Sequence, residues 1–320
     1  MKILVTGGAG FIGSHLCEAL INRGDSVIAL DDLSTGNSRN LDSLSKNSKF
    51  EFISGSILNE KVIYSLVNRV DTVMHFAAAV GVQKILKDPI NSLRTNVQGS
   101  ELVLTAAAKS NKPTILASTS EIYGKNSEVP LTEESDRVLG SPLLSRWTYS
   151  EAKALDEFFA RALYLDSGWS VKIVRLFNVV GPRQSGAYGM VIPRFVNAAL
   201  LNEDLKVYGD GTQRRVFCHI NDAINGILSL LDSKEGNGES FNLGGFEEIS
   251  IFDLANRVVE ESKSASKIDF IPYSNLPSGF EDMARRVPDT SKLNALTGWT
   301  AKIDLTKIII DVIKYAKVSI

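Results

Sequence analysis

The chain has 320 residues, 44% hydrophobic and 22% charged, with a formal net charge of −2. That is enough apolar material for one large domain or two modest ones. The scattered, nearly balanced charge argues against a nucleic-acid partner, and no apolar run approaches the roughly 20 residues that span a bilayer.

Cys17 and Cys218 lie far apart on apolar segments, so buried thiols are expected rather than a disulfide. His15, His75 and His219 show no ligand spacing with them, and no metal site is expected. The opening Lys2-Ile3-Leu4-Val5 carries no signal-peptide pattern, which reads as a cytoplasmic protein.

Lys2–Thr6 is a short buried-strand run, and Gly7-Gly8-Ala9-Gly10-Phe11-Ile12-Gly13 follows at once. A helix then starts, with apolar residues at Ile12, Leu16, Ala19 and Leu20 and a stop near Gly24. Glycines at 7, 10 and 13 permit a tight turn, close approach of backbone to a pyrophosphate, and close helix–strand packing. The next strand, Ser26–Leu30, ends in Asp31-Asp32. An acid there bonds adenosine ribose hydroxyls and repels a 2′-phosphate, so Asp31 favours NAD over NADP.

Phe50–Ile57 reads as a third strand and turn, with Ser56 and Ile57 at its end. A helix around Glu60–Asn68 and the strand Asp71–Phe76 come next. His75 is expected to pack or hydrogen-bond rather than catalyse. Ala77-Ala78-Ala79 are small enough for a cofactor to lie against their backbone. A helix around Asn96–Lys109 precedes the strand Thr114–Ala117. Strand and helix alternate throughout, which predicts an α/β fold built on a doubly wound parallel sheet. Ligands bind such sheets beyond the C-terminal strand ends, where Gly7–Gly13, Asp31, Ala77 and Thr119 fall.

Ser118-Thr119-Ser120-Glu121-Ile122-Tyr123-Gly124 closes the Thr114 strand, and Arg146-Trp147-Thr148-Tyr149-Ser150-Glu151-Ala152-Lys153 opens another helix. Residues four apart share a helix face, so Lys153 can lie beside the ring of Tyr149. A phenol with an unperturbed pKa near 10 is a poor base, and a neighbouring ammonium favours its phenolate. By itself a Tyr-x-x-x-Lys match is expected by chance about half the time in a chain with eight tyrosines.

With the glycine loop, the Ser/Thr cluster before Tyr123-Gly124 and Tyr149-x-x-x-Lys153 in this order, nearly the whole chain resembles an extended short-chain dehydrogenase/reductase. The likeness is to the nucleotide-sugar epimerase, dehydratase and decarboxylase group. It implies a Rossmann-type domain with a smaller α/β substrate-binding lobe. It also implies NAD as cofactor and a catalytic set of Thr119, Tyr149 and Lys153, with Lys153 holding the nicotinamide ribose. Cofactor contacts are expected from Gly7, Gly10, Phe11, Ile12, Gly13, Asp31, Asp32, Ser56, Ile57, Phe76, Ala77, Ala78, Asn96, Tyr149 and Lys153. Ser56 departs from the pattern, since an aspartate toward adenine is common there.

The second half opens with the strand Lys172–Phe177 and continues as Asn178-Val179-Val180-Gly181-Pro182-Arg183. A flexible loop, Gln184–Gly189, and a helix from Val191 follow. As a bare pattern, Lys206–Phe217 is a hairpin turn with solvated charge. The resemblance implies instead a loop that holds the nucleotide diphosphate, with Arg215 on phosphate. Asn178, Arg183, Val191, Val207, Tyr208, Arg215 and Arg286 are the expected substrate contacts. Phe241–Gly245 and Ser250–Ala255 read as strand, turn and helix, and Ile303–Lys317 as an amphipathic docking helix. The expected layout is a cofactor domain over about 1–175 and 216–245, with the substrate lobe over about 176–215 and 246–320.

The resemblance implies oxidation at C4 of a UDP-linked sugar, and the reading branches after that step. Dehydratases of the group place Asp-Glu after the threonine, whereas this chain has Ser120-Glu121. Thr-Ser-Glu and Arg146-Trp147-x-Tyr149-Ser150 are similar to UDP-glucuronate decarboxylases, with Ser120, Glu121 and Arg286 positioning the sugar. The loop from Gln184 to Pro193 is closer to some UDP-sugar 4-epimerases, so 4-epimerisation is the alternative. A catalytically silent NAD-sensing regulator would be expected to lack Tyr149 or Lys153, and both are present. A homodimer is expected through helices Asn96–Lys109 and Thr148–Leu163.

Overall fold

The computed structural model describes residues 1–79, 88–186, 190–276 and 281–319. Seven parallel strands form the main sheet: β1 (Lys2–Thr6), β2 (Ser26–Asp31), β3 (Phe50–Ser54), β4 (Thr72–His75), β5 (Thr114–Thr119), β6 (Val171–Leu176) and, at one edge, Ser240–Leu243. From that edge the order is Ser240–Leu243, β6, β5, β4, β1, β2, β3. Strand order therefore reverses beside β1. Such a switch point leaves a crevice beyond the strand ends.

Side chains alternate along each buried strand. Ile3 and Val5 enter one core with Leu16 and Leu20 of helix α1 (Phe11–Arg23) and with Ile220, Ala223 and Ile227. Leu4, between them, enters the opposite core with Ile63, Leu104 and Ala160. The sheet is thus covered on both faces, which is why its strands read as continuous apolar runs. His75 packs as expected, between Thr6 and Ser100, and both cysteines are buried free thiols.

A third core gathers Ile192, Phe195, Leu205, Val207, Leu254, Val258, Ile309 and Val312. The helices Val191–Leu200, Ile251–Ser262 and Leu305–Ser319 pack around it, so the last helix docks where amphipathicity predicts. The Lys206–Phe217 segment is not a hairpin. Leu205–Tyr208 pairs in parallel with Ile268–Ile271, while Arg214–Val216 pairs with Glu248–Ser250 and Arg285–Arg286. The turn formers between them cross from one small sheet to the next. The Asn96–Lys109 helix also differs from its sequence reading: Pro89–Leu93 precedes it, and Arg94–Gly99 is wound as a π-turn. Ala187, Tyr188 and Gly189 of the expected flexible loop lie outside the described residues.

Candidate active site

One cleft of about 1010 Å³ runs across the C-terminal ends of β1, β2, β4, β5 and β6 to the third core. At its β1 end, Gly7 has φ +72, and an added Cβ would lie 2.8 Å from the backbone of Ala77. A Cβ at Gly13 would fall 2.0 Å from the Gly7 carbonyl oxygen, so α1 can start against the turn only with glycine there. At Gly10 a Cβ would meet only that carbonyl, at 3.1 Å; its other side faces the cleft. Helix α1 starts there with no side-chain cap and no acid in its first turn. Its leading N–H groups and dipole suit a phosphate.

Asp31 Oδ2 accepts from Ala9 N at 3.0 Å and its Oδ1 from Leu33 N at 2.8 Å. Burial pushes this carboxyl up from its usual range, against those backbone bonds. Asp31 therefore ties the glycine loop to the end of β2 while lining the cleft. Phe11, Ile12, Asp32, Ile57, Phe76, Ala77 and Ala78 line it too. This cradle fits an NAD-type dinucleotide.

Three expected contacts are turned elsewhere. Ser56 Oγ accepts from Leu58 N at 3.2 Å and shapes the turn after β3. Asn96, carried inward by the π-turn, clamps Ala79: its Oδ1 accepts from the amide at 2.6 Å and its Nδ2 donates to the carbonyl at 3.0 Å. Val207 is fully buried in the third core, and its neighbour Tyr208 faces the cleft. Arg183 lines the cleft, but its guanidinium bonds Glu18 Oε1 at 2.7 Å and Ser14 Oγ at 3.3 Å on α1. It stands beside α1 rather than at the Thr119 end of the cleft.

At the other end of the cleft, Thr119 ends β5 and Ser120–Tyr123 forms a 3₁₀ turn, which aims Thr119, Ser120 and Glu121 into the space. Tyr149 and Lys153 come from the first turns of helix Thr148–Ser167, and a hydrogen bond joins the Tyr149 phenol to Thr119. The phenol is not pulled down as the spacing suggested. Burial and the negative charges of Glu121 and Asp156 hold it above its ordinary value, while Thr119 pulls the other way. The Lys153 ammonium is turned to Asp156, with Nζ 2.8 Å from Oδ2.

Glu121 is held between two guanidiniums, Arg286 Nη1 at 2.9 Å from Oε1 and Arg146 Nη2 at 2.7 Å from Oε2. Burial would raise this carboxyl, but the two arginines overrule it and hold Glu121 at about 2. Arg215 Nη2 pairs with Asp282 Oδ1 at 2.6 Å, and burial and Arg286 together push Arg215 below its ordinary value. Asn178, at φ +38, donates from Nδ2 to Val216 O at 2.8 Å. Asn178 and Val191 both line the cleft. The sequence reading did not assign Arg146, Arg194, Asp282 or Met283, which line the cleft as well. For Arg146 the signal was its place three residues before Tyr149. Among the described residues no three His, Cys, Asp or Glu side chains gather as a metal site.

A sequence model of the family described as GDP-mannose 4,6 dehydratase matches residues 4–312. The chain belongs to this family of extended short-chain dehydrogenases/reductases. A UDP-N-acetyl-alpha-D-glucosaminuronate decarboxylase from Bacillus cytotoxicus is 41% identical over 297 residues, covering 92% of this chain and 91% of the relative. UDP-glucuronic acid decarboxylase 1 of Arabidopsis thaliana is 34% identical, over 95% of this chain and 67% of that one. The crystal structure of a UDP-glucuronic acid 4-epimerase from Bacillus cereus, in complex with UDP-glucuronic acid and NAD, superposes with a TM-score of 0.90. It is 31% identical, and all of both chains is covered. Members of the family are NAD-dependent enzymes, and the cradle of this extended dehydrogenase/reductase is built for the same cofactor. Among its described residues no helix is long and apolar enough to cross a membrane.

Proposed function

We propose that this enzyme decarboxylates a UDP-linked uronic acid by transient oxidation at C4. The observation that carries the reading is Glu121 clamped between Arg146 and Arg286, beside Thr119 and Tyr149. Four guanidiniums, Arg146, Arg194, Arg215 and Arg286, and three carboxylates, Glu121, Glu281 and Asp282, line the sugar end of the cleft, leaving it with one surplus positive charge. That balance suits a substrate carrying a diphosphate and a carboxylate. Arg286 Nε is also buried without a hydrogen-bond partner among the described residues, a donor left for a ligand oxygen.

NAD held by the glycine loop and Asp31 would supply the hydride acceptor for C4 and, once reduced, the hydride donor at the end of the cycle. Tyr149, in its phenolate form, takes the O4 proton, with Thr119 bonded to both Tyr149 and sugar, and gives it back when the ketone is reduced. In the 4-keto acid the carboxylate is β to the ketone, so the bond from C5 to the carboxyl carbon breaks, CO2 departs, and the bonding pair stays on the sugar as the enolate. Ser120, Glu121 and Arg286 orient the sugar while C5 regains a proton. Asn178, Val191, Tyr208 and Arg215 hold the nucleotide, and Arg183 steadies the pyrophosphate end of the cofactor. Residues about 1–175 and 216–245 serve NAD, joined there by Arg183, and the rest of about 176–215 with 246–320 serves the sugar nucleotide.

A second reading, 4-epimerisation of the same substrate, is supported by the 31% identical epimerase of full overlap. Proton NMR with NAD and UDP-glucuronate or its 2-acetamido analogue separates the two. The expected result is loss of the carboxyl carbon and a UDP-pentose. A C4-inverted uronate would replace the first reading by the second, and no turnover of either substrate would remove both.

We also place the enzyme in the cytoplasm, as a homodimer. Leu155, Phe158 and Leu165 on helix Thr148–Ser167 are at least half exposed, and Ile90 is 64% exposed on the neighbouring Pro89–Leu93. Light scattering is expected to return the mass of two chains, and Phe158→Glu the mass of one.

A further inference from the structure

A chain of buried polar groups leaves the cleft from Lys153 and ends at the glycine loop. Lys153 Nζ lies 2.8 Å from Asp156 Oδ2, and both side chains are almost fully buried. Ser100 Oγ donates to the same oxygen at 3.0 Å. His75 Nε2 is 3.0 Å from Ser100 Oγ, and His75 Nδ1 is 2.7 Å from Thr6 Oγ1. Thr6 Oγ1 accepts from the amides of Phe76 and Ala77, each at 3.2 Å.

The direction of every bond follows from the two ends. The carboxylate only accepts, so the Ser100 proton points to Asp156, and Ser100 Oγ accepts from His75 Nε2–H. At the other end two amides fill the Thr6 oxygen, so its proton points to His75 Nδ1. Both ends demand the same neutral tautomer of His75. Burial first, and the charge of Lys153 second, hold the imidazole at about 3, so it stays neutral.

We propose that Asp156 is a positioning residue of the reaction, holding the Lys153 ammonium at the nicotinamide end of the cleft and held in turn by Ser100, His75 and Thr6. The catalytic lysine is thereby tied to the same strand end that carries the glycine turn. Stability does not explain the pair, because burying two charges costs about as much as their attraction returns. Burial indeed pushes Asp156 upward, against Lys153 and Ser100. Asp156 is the sole side chain that Lys153 hydrogen-bonds among the described residues, so further ammonium protons remain for a ribose hydroxyl and the Tyr149 oxygen. The charged and titratable groups around the pair are Tyr149 and Glu157, with His75 behind Ser100 and Glu121 beyond Tyr149.

This inference rests on the assignment of Tyr149 and Lys153 to the reaction, and its test reads quantities that do not require turnover. Asp156→Asn keeps an oxygen that accepts from both Lys153 and Ser100; Asp156→Ala removes it. In wild type, ¹⁵N NMR of the three histidines, assigned with His75→Gln, is expected to show His75 as the Nε2–H tautomer, without titration between about pH 8 and about pH 5. Calorimetry is expected to show NAD affinity reduced about tenfold in Asp156→Ala and recovered to within about threefold in Asp156→Asn, with UDP affinity unchanged in both. On the proposed substrate, kcat follows the same order at constant KM. An Nδ1–H tautomer in wild type, or equal NAD affinity in wild type and Asp156→Ala, would overturn the proposal. If Asp156→Ala does not fold, Ser100→Ala carries the same comparison. A wild type that turns over no UDP-uronate, yet shows this tautomer and order of affinities, sinks the reaction and leaves the positioning role standing.

Discussion

Arg286 and Glu121 meet at 2.9 Å although 165 residues separate them in sequence. Their contact joins the 3₁₀ turn after β5 to strand Arg285–Arg286 of the small sheet that also holds Arg214–Val216. Arg286 also reaches Ser120 Oγ at 3.4 Å from the same nitrogen. Nη2, the other arm of the planar fork, is turned to Met283 Sδ, so the guanidinium spans neighbours on two sides that a single ammonium nitrogen does not reach together. Arg286→Lys is therefore expected to lower kcat about a hundredfold, with the UDP affinity within about threefold of wild type. Steady-state kinetics beside calorimetry with UDP checks the split. Equal loss in kcat and UDP affinity would move Arg286 from the sugar to the diphosphate.

The same clamp sets a pH dependence of stability. Glu121 is held at about 2 in the folded protein, below the roughly 4.3 of a free glutamate. A depressed carboxyl stabilises fully above its unfolded value, and that contribution is lost as pH falls through its folded value. The advantage of wild type over Glu121→Gln in denaturant midpoint is expected to be constant from about pH 7 to about pH 5. It should shrink between about pH 4.5 and about pH 2. An advantage that instead grew toward low pH would show that the arginines do not stabilise the ionised form.

Much of the cofactor half is legible in the sequence because its signals are local. The Lys2–Thr6 run, the glycine spacing and the acid after Ser26–Leu30 each sit within one strand–turn–helix unit, and each lies where its pattern indicates. Tyr149 and Lys153 share a helix face for the same local reason. Lys153 nevertheless turns to Asp156, three residues along the same helix, with Nζ 2.8 Å from Oδ2. What stays hidden is pairing across long separations. Turn formers between Lys206 and Phe217 suggest a hairpin, but the strands on either side pair with Ile268–Ile271 and with Arg285–Arg286. Val207 and Tyr208 both match the expected substrate loop, yet strand alternation sends the first to the core and the second to the cleft. Asn96 faces Ala79 because a π-turn rotates it, and nothing in its neighbours' types announces that turn.

Two glycines of the loop should separate folding from cofactor binding. At Gly13 a methyl group would lie 2.0 Å from the Gly7 carbonyl oxygen, which has no room to move without opening the turn. At Gly10 the one near atom is 3.1 Å away, so the fold tolerates a methyl that protrudes toward the phosphate. Gly13→Ala is expected to lower the thermal midpoint by several degrees and to abolish NAD binding. Gly10→Ala is expected to leave the midpoint within about two degrees and to weaken NAD about tenfold or more. Melting curves and calorimetry on both variants provide the check, and equal NAD affinity in Gly10→Ala and wild type would remove the pyrophosphate from this turn.

Tyr123 and Tyr149 flank the same strand end, and their surroundings give them opposite roles. Tyr123 is 1% exposed and does not line the cleft. Its hydroxyl donates to Asn242 Oδ1 at 2.7 Å and accepts from Arg175 Nη1 at 2.8 Å, with the Arg175 guanidinium 5.2 Å above its ring. Burial pushes this phenol up to about 12, against Arg175 and Asn242, and the Tyr149 phenol is raised as well, so what separates the two is access to the cleft rather than acidity. Tyr123→Phe strips one partner from Asn242, whose other bond ties Leu131 to strand Ser240–Leu243. The expected cost is about 1–3 kcal/mol of stability, with kcat within about threefold of wild type. Tyr149→Phe is expected to do the reverse, keeping the thermal midpoint and lowering kcat at least about a thousandfold through loss of the proton-transfer group. Denaturant titrations and single-turnover kinetics on the two variants test this together. A Tyr123→Phe enzyme with full stability and no turnover would place that hydroxyl, rather than Tyr149, in the proton path.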